Sequence, residues 1–138
     1  LLNEKNNGNI IQYLIRSGNL NSVHDVSTGG IILALAEMSL SSQIGVKIHK
    51  PKKLSNIFEF FFGEDQSRYI IEADKTNLPK IEKVLKDNNI YFDNIGVTQK
   101  DYFELDKDLK LSVKELYEIN NKWYNKILMV YIRYRSYY

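Results

Sequence analysis

Apolar residues along the chain fall into short runs whose spacing switches between the helical and the extended period. Ile10, Ile11, Leu14 and Ile15 recur at helical spacing. Asn9 stands where an N-cap belongs, and Gly18-Asn19 offers a stop. Leu20 to Val26 reads as a strand, after which a polar loop and the pair Gly29-Gly30 open the run Ile31 to Leu40. That run is apolar on nearly every face and predicts a helix covered on both sides. Gly45 to His49 alternates Val46 and Ile48 inward with Lys47 and His49 outward, the period of a half-buried strand. Arg68 to Ala73 carries Tyr69 and Ile71 on one face and Ile70 on the other, which suits a central strand. Thr76 or Asn77 caps a helix with Pro79 in its first turn, Leu78, Ile81, Val84 and Leu85 as its stripe, and an end at Asn88-Asn89. Ile90 to Val97 and Tyr102 to Leu105 predict two further strands, joined by a polar turn through Gln99, Lys100 and Asp101. Ser112-Val113-Lys114-Glu115 has the spacing of a capping box. The helix it opens carries Leu116, Ile119, Trp123 and Ile127 on one side, with Trp123 as a core anchor.

The order is helix, strand, helix, strand, strand, helix, strand, strand, helix, with no internal repeat. It predicts an α+β fold, an α/β sandwich with a mixed sheet of about four to six strands layered with helices. At 138 residues and 43% apolar composition the chain can form one domain with a single core. Residues 1–8, polar and rich in asparagine, read as a linker or a truncated start; residues 9–128 read as the domain and 129–138 as a tail. The tail interleaves Tyr131, Tyr134, Tyr137 and Tyr138 with Arg133 and Arg135. Such a pattern can stack on single-stranded nucleic acid, but eight residues without a groove fit a frayed end better.

The chain has no cysteine, so neither a disulfide framework nor a thiolate metal site is available, which suits a reducing cytoplasm. No apolar run is long enough for a membrane span. The net charge of +2 is too small to argue for nucleic acid. His49 reads as an exposed histidine beside Lys50, Lys52 and Lys53 in a loop opened by Pro51. With no second imidazole or thiolate near it, a metal site there has no support.

Two polar stretches concentrate the chemistry. Val23-His24-Asp25-Val26-Ser27-Thr28-Gly29-Gly30 reads as strand, phosphate-sized turn, helix start, where helix amides and flexible glycines can meet an anion. An ordinary strand-to-helix turn explains the same residues. About forty residues later, Gly63-Glu64-Asp65-Gln66-Ser67-Arg68 follows the aromatic run Phe58 to Phe62. Asp25, Glu64 and Asp65 are carboxylates suited to a nucleotide or its magnesium. Arg68 offers a planar fork for phosphate or carboxylate, or it pairs with Asp25 or Glu64 and locks the two loops together. His24 is better placed to bond a neighbouring backbone group than to act as a base.

From Ile10 to Ile127 the chain resembles the C-terminal domain of formylglycinamidine ribonucleotide synthetase (phosphoribosylformylglycinamidine synthase). The resemblance is carried by Ser22 to Ser27, by Gly29-Gly30 with Ala34-Leu35-Ala36-Glu37-Met38, and by Phe62 to Tyr69. The first motif alone fits the wider aminoimidazole ribonucleotide synthetase superfamily; the second narrows it. The resemblance implies part of a ligase of purine biosynthesis, which converts formylglycinamide ribonucleotide, ATP and glutamine-derived ammonia to the amidine. ATP and Mg²⁺ would serve the parent enzyme. Its partners would be the remainder of the synthetase chain, a glutaminase subunit or domain and a small accessory subunit.

The resemblance implies no catalytic residue and no resident metal here, because the catalytic histidine and most ATP contacts belong to N-terminal-type domains. The nucleotide- or substrate-proximal positions would be Asp25, Ser27, Gly29, Gly30, Glu64, Asp65, Gln66 and Arg68. In the second copy of the domain pair, which this chain resembles, they would face a non-catalytic pseudo-symmetric site. Thr28 replaces the Asp common in the family and Asn125 a common Pro. The alternatives are a non-catalytic nucleotide- or subunit-binding module, or a domain of another enzyme of the superfamily.

Overall fold

A computed structural model describes residues 2–51 and 56–122. The chain divides into two compact units, residues 1–35 with 50–95 and residues 36–49 with 96–138, where the length alone allowed a single core.

In the first unit, α1 (Leu2–Arg16) begins seven residues before the expected cap, so Asn9 lies inside the helix. The polar residues ahead of Ile10 include two with tertiary partners: Asn6 Nδ2 donates to Asn88 O and Asn7 Nδ2 to Ser67 O. Such long-range bonds favour the extra turns, and local spacing cannot reveal them. The helix ends as expected. Gly18 takes φ +66°, its N–H donates to Ile15 O, and Asn19 N–H donates to Leu14 O, the paired bonds of a Schellman motif.

Strand β1 (Ser22–Asp25) pairs antiparallel with β3 (Tyr69–Glu72), Val23 opposite Ile71 and Asp25 opposite Tyr69. β3 has no second partner strand among the described residues. The expectation of a central strand is therefore corrected: Ile70 is buried while Tyr69 is exposed. In sequence between β1 and β3, this unit also holds the first turns of α2 (Gly30–Ser42) and the short helix α3 (Ile57–Phe62). α3 is not among the expected helices, because Ile57-Phe58-Glu59-Phe60-Phe61-Phe62 has strand-like composition. Its available signal was Asn56, whose side chain accepts from Phe58 N and Glu59 N.

Helix α4 (Leu78–Asp87) starts at Asn77 and stops at Asn88, as the pattern predicts. The Asn77 side chain does not cap it, however, because Nδ2 donates to Asn19 O. Leu14, Ile81 and Leu85 form the core between α1 and α4, with Ile10, Leu20, Ile71, Ala73, Val84, Ile90 and Phe92 packed on it. Ile90 and Phe92 thus serve a helical core, so the predicted strand 90–97 is corrected to β4 (Gly96–Gln99), which keeps only Gly96 and Val97 of it and takes in Gln99, expected in the turn.

In the second unit, a mixed four-stranded sheet has the order β4, β2 (Gly45–Ile48), β5 (Tyr102–Leu105), β6 (Leu109–Ser112). β2 runs parallel to β5 and antiparallel to β4, and β6 returns antiparallel to β5. Val46, Ile48 and Phe103 point into its core, as the alternation predicts. β6 is an addition to the expected strands: Leu109-Lys110-Leu111-Ser112 lacks the aromatic residues that mark β5, and its pairing with β5, Phe103 opposite Leu111, defines it. A final helix, α5, runs over residues 113–122. Ile119, expected on the apolar side of this helix, is exposed, which corrects that position of the stripe. Trp123, Ile127, Asn125 and the Tyr/Arg tail lie outside the described residues, as do Lys52 and Lys53.

α2 is not covered all round. Ile31, Ala34, Leu35 and Ser39 are buried, whereas Leu33 and Glu37 are exposed, a one-sided stripe. Its apolar outer residues hid that asymmetry from a hydropathy pattern.

Candidate functional site

An antiparallel pair sets the chain leaving one strand beside the chain entering the other. β1 and β3 do this for the two polar stretches. Val26 N–H donates to Arg68 O at 2.9 Å just beyond the ladder. The first loop then turns tightly, Gly30 N–H bonding Ser27 O at 3.0 Å. Gly29 and Gly30 both sit at positive φ, +79° and +69°, as a phosphate-sized turn requires of its glycines. At Gly30 space is also short: a Cβ would lie 2.5 Å from Phe61 O and 2.8 Å from the Phe62 carbonyl carbon. Only glycine lets the end of α3 come this close to the start of α2.

The second stretch uses its charges on backbone groups. Glu64 Oε1 accepts from Gly29 N–H at 2.8 Å, 35 residues away. Arg68 Nη2 donates to Phe60 O at 2.9 Å and Nη1 to Gly63 O at 3.2 Å, while the guanidinium lies 5.4 Å over the Phe60 ring. Its carboxylate neighbour is Asp65, at 3.5 Å. The expected pairing of Arg68 with Asp25 or Glu64 is corrected: the loops are joined by Glu64 and Gly29, and Arg68 serves the C-terminal carbonyls of α3. Both placements follow helix electrostatics, an anion at an N-terminus and a cation at a C-terminus.

The remaining positions face solvent. The Asp25 side chain is 74% exposed, and Ser27, Thr28, Asp65 and Gln66 are exposed as well. His24 Nδ1–H donates to Asp25 O at 2.6 Å, a backbone partner as expected, and that bond places the proton on Nδ1. Ser67 holds φ +69° and its carbonyl receives Asn7, while its buried hydroxyl has no hydrogen-bond partner among the described residues. Asn7 and the α3 carbonyls are parts of this site that sequence reasoning missed. Asn7 carries no local signal; α3 was findable through Asn56.

Among the described residues, no three carboxylates or imidazoles converge to hold a metal ion. His49 lies in the second unit, 3.6 Å from Asp106 Oδ1, and is no part of these loops. No helix among the described residues is long and apolar enough to cross a membrane.

A family model described as AIR synthase related protein, C-terminal domain, matches residues 1–107. The phosphoribosylformylglycinamidine synthase subunit PurL of Pelagibacter ubique (strain HTCC1062) is 42% identical over 123 residues, which is 89% of this chain and 17% of that relative. The chain thus spans about a sixth of the relative it matches. Among solved structures, Thermotoga maritima PurL complexed with AMPPCP superposes with a TM-score of 0.72 at 15% identity, covering 82% of this chain and 21% of that one. PurLQS from the same organism gives 0.71 at 15% identity, over 83% of this chain and 21% of that chain. At that identity the structural likeness speaks for the fold alone.

Proposed function

The chain belongs to the AIR synthase related protein C-terminal domain family, and we propose that it is the C-terminal domain of a phosphoribosylformylglycinamidine synthase. The observation that carries this reading is the 42% identity to a PurL subunit across 89% of the chain. In the whole enzyme, ATP would activate the formyl amide oxygen of formylglycinamide ribonucleotide and ammonia would then displace phosphate to leave the amidine. This chain would complete the ligase fold and would not run that reaction by itself.

Its own residues divide into two roles. Gly29, Gly30, Glu64 and Arg68 hold the loops through the backbone bonds described above. Asp25, Ser27 and Gln66 are exposed on the same loops and are the groups placed to approach a nucleotide or substrate, Asp25 with its Oδ1 4.0 Å from His24 Nδ1; Asp65 reaches outward while keeping Arg68 in place. The donor set does not fit a resident Mg²⁺, since Glu64 and Asp65 are engaged on Gly29 and Arg68 and, among the described residues, no cluster of three ligands forms. No step is assigned to that ion here.

The remainder of the synthetase chain is the first partner, the PurLQS assembly of the T. maritima neighbour supports association with further subunits, and a glutaminase subunit or domain would supply the ammonia. A cytoplasmic location accords with that metabolism. The test is a chimaera in which this chain replaces the matching segment of the P. ubique relative. Formation of the amidine from formylglycinamide ribonucleotide, ATP and ammonia is the expected result. A chimaera that folds and binds ATP yet forms no product overturns the reading.

A further inference from the structure

Helix α2 has no acidic residue in its first turn, so its positive end has no charge complement from its own sequence. The complement comes from the second loop: Glu64 Oε1 accepts the Gly29 N–H at 2.8 Å. The Glu64 side chain is exposed, but the backbone on both sides of this contact is held in place. Gly29 and Gly30 take φ +79° and +69°, Gly30 sits against the Phe61 and Phe62 backbone, and Arg68 fixes Gly63, the residue before Glu64, through its carbonyl.

We propose that Glu64 is a tethered anion that closes the glycine turn, so that the loop selects against phosphate at the Gly29 amide. A phosphate oxygen needs that same N–H, which is already donated, and would meet a carboxylate of like charge beside it. Glu64 is thereby a positioning residue for the two loops, and a ligand lying on them would be contacted by the outward groups Asp25, Ser27 and Gln66 and not through the turn's first amide. The inference stands on the geometry of the loops and is independent of the synthetase assignment.

The test uses the full 138-residue chain, labelled with ¹⁵N, and inorganic phosphate as the probe. In the unaltered chain the Gly29 amide is expected to stay in place as phosphate is added. In Glu64→Ala its hydrogen exchange is expected to rise about fivefold, and in Glu64→Gln, which keeps a neutral acceptor, by less. Gly18, whose N–H is held by Ile15 O in a separate turn, reports that each variant is folded. A saturable phosphate shift at Gly29 in the unaltered chain overturns the proposal and needs no variant. So does an unchanged Gly29 exchange rate in Glu64→Ala, or in Glu64→Gln should the alanine variant leave Gly18 unprotected.

Discussion

The starts of α2 and α5 solve one problem in two ways. In each, a glutamate carboxylate accepts a backbone N–H at a helix N-terminus, at 2.8 Å in both cases. At α5 the donor Ser112 lies 3 residues from Glu115, and the serine hydroxyl returns a bond from Glu115 N–H at 3.1 Å. At α2 the donor and acceptor are 35 residues apart. The local version assembles whenever the first turn forms. The distant one requires β1 and β3 to pair and α3 to end in the right place, so it couples the helix start to the tertiary structure. Losing the first should cost one helix its cap; disturbing the second should loosen two loops and the strands that carry them.

The largest expected effect is at the distant junction. Gly30→Ala places a Cβ 2.5 Å from Phe61 O in a backbone conformation that disfavours it, and should destabilise the chain by about 3 kcal/mol. Urea unfolding measures this, and a loss no larger than that of an ordinary surface substitution would show that the α2 and α3 ends do not approach so closely. Arg68→Met comes next. It strips the donors from the Phe60 and Gly63 carbonyls while keeping much of the stem, for a loss of about 1–2 kcal/mol. A Ser112→Ala change in the local box should cost about 1 kcal/mol, with amide exchange at Gly29 unchanged; a Gly29 response would mean that the two helix starts are coupled.

The smallest effect is one of pH. Backbone and side-chain hydrogen bonds from Ser112 hold the Glu115 carboxyl below its ordinary value of 4.5. A carboxylate depressed in the folded state stabilises it above the unfolded value, and that stabilisation is lost as pH falls through the folded one. The contribution is therefore present above pH 4.5 and fades below it. Glu115→Gln should remove that contribution, lowering stability slightly at neutral pH, leaving strongly acidic pH nearly untouched and so flattening the profile between them, as acid titration of the unfolding midpoint would show.

Legibility followed the range of the interactions. The capping box, the Gly18 stop of α1, the stripe of α4 and the alternation of β2 are set within a few residues, and each was readable. β6 and the shortened β4 depended on which distant segment paired or packed, so Leu109–Ser112 was overlooked and Ile90 and Phe92 were placed in a strand when they belong to a helical core. Asn9 was misplaced as a cap because nothing local announces that Asn6 and Asn7 have partners at Asn88 and Ser67.

The candidate site divides the same way. Residue types and glycine spacing were enough, by themselves, to single out both loops and the glycine pair that opens α2; that both glycines take positive φ is the structure's addition. The motifs also indicated the family. What only the tertiary structure decided is the use made of each charge: Glu64 on the Gly29 amide, Arg68 on the α3 carbonyls beside Asp65, and Asp25 and Gln66 left facing water. A charge in sequence is an unassigned donor or acceptor, and its partner is selected by strand pairing and helix ends that lie outside its own stretch of chain.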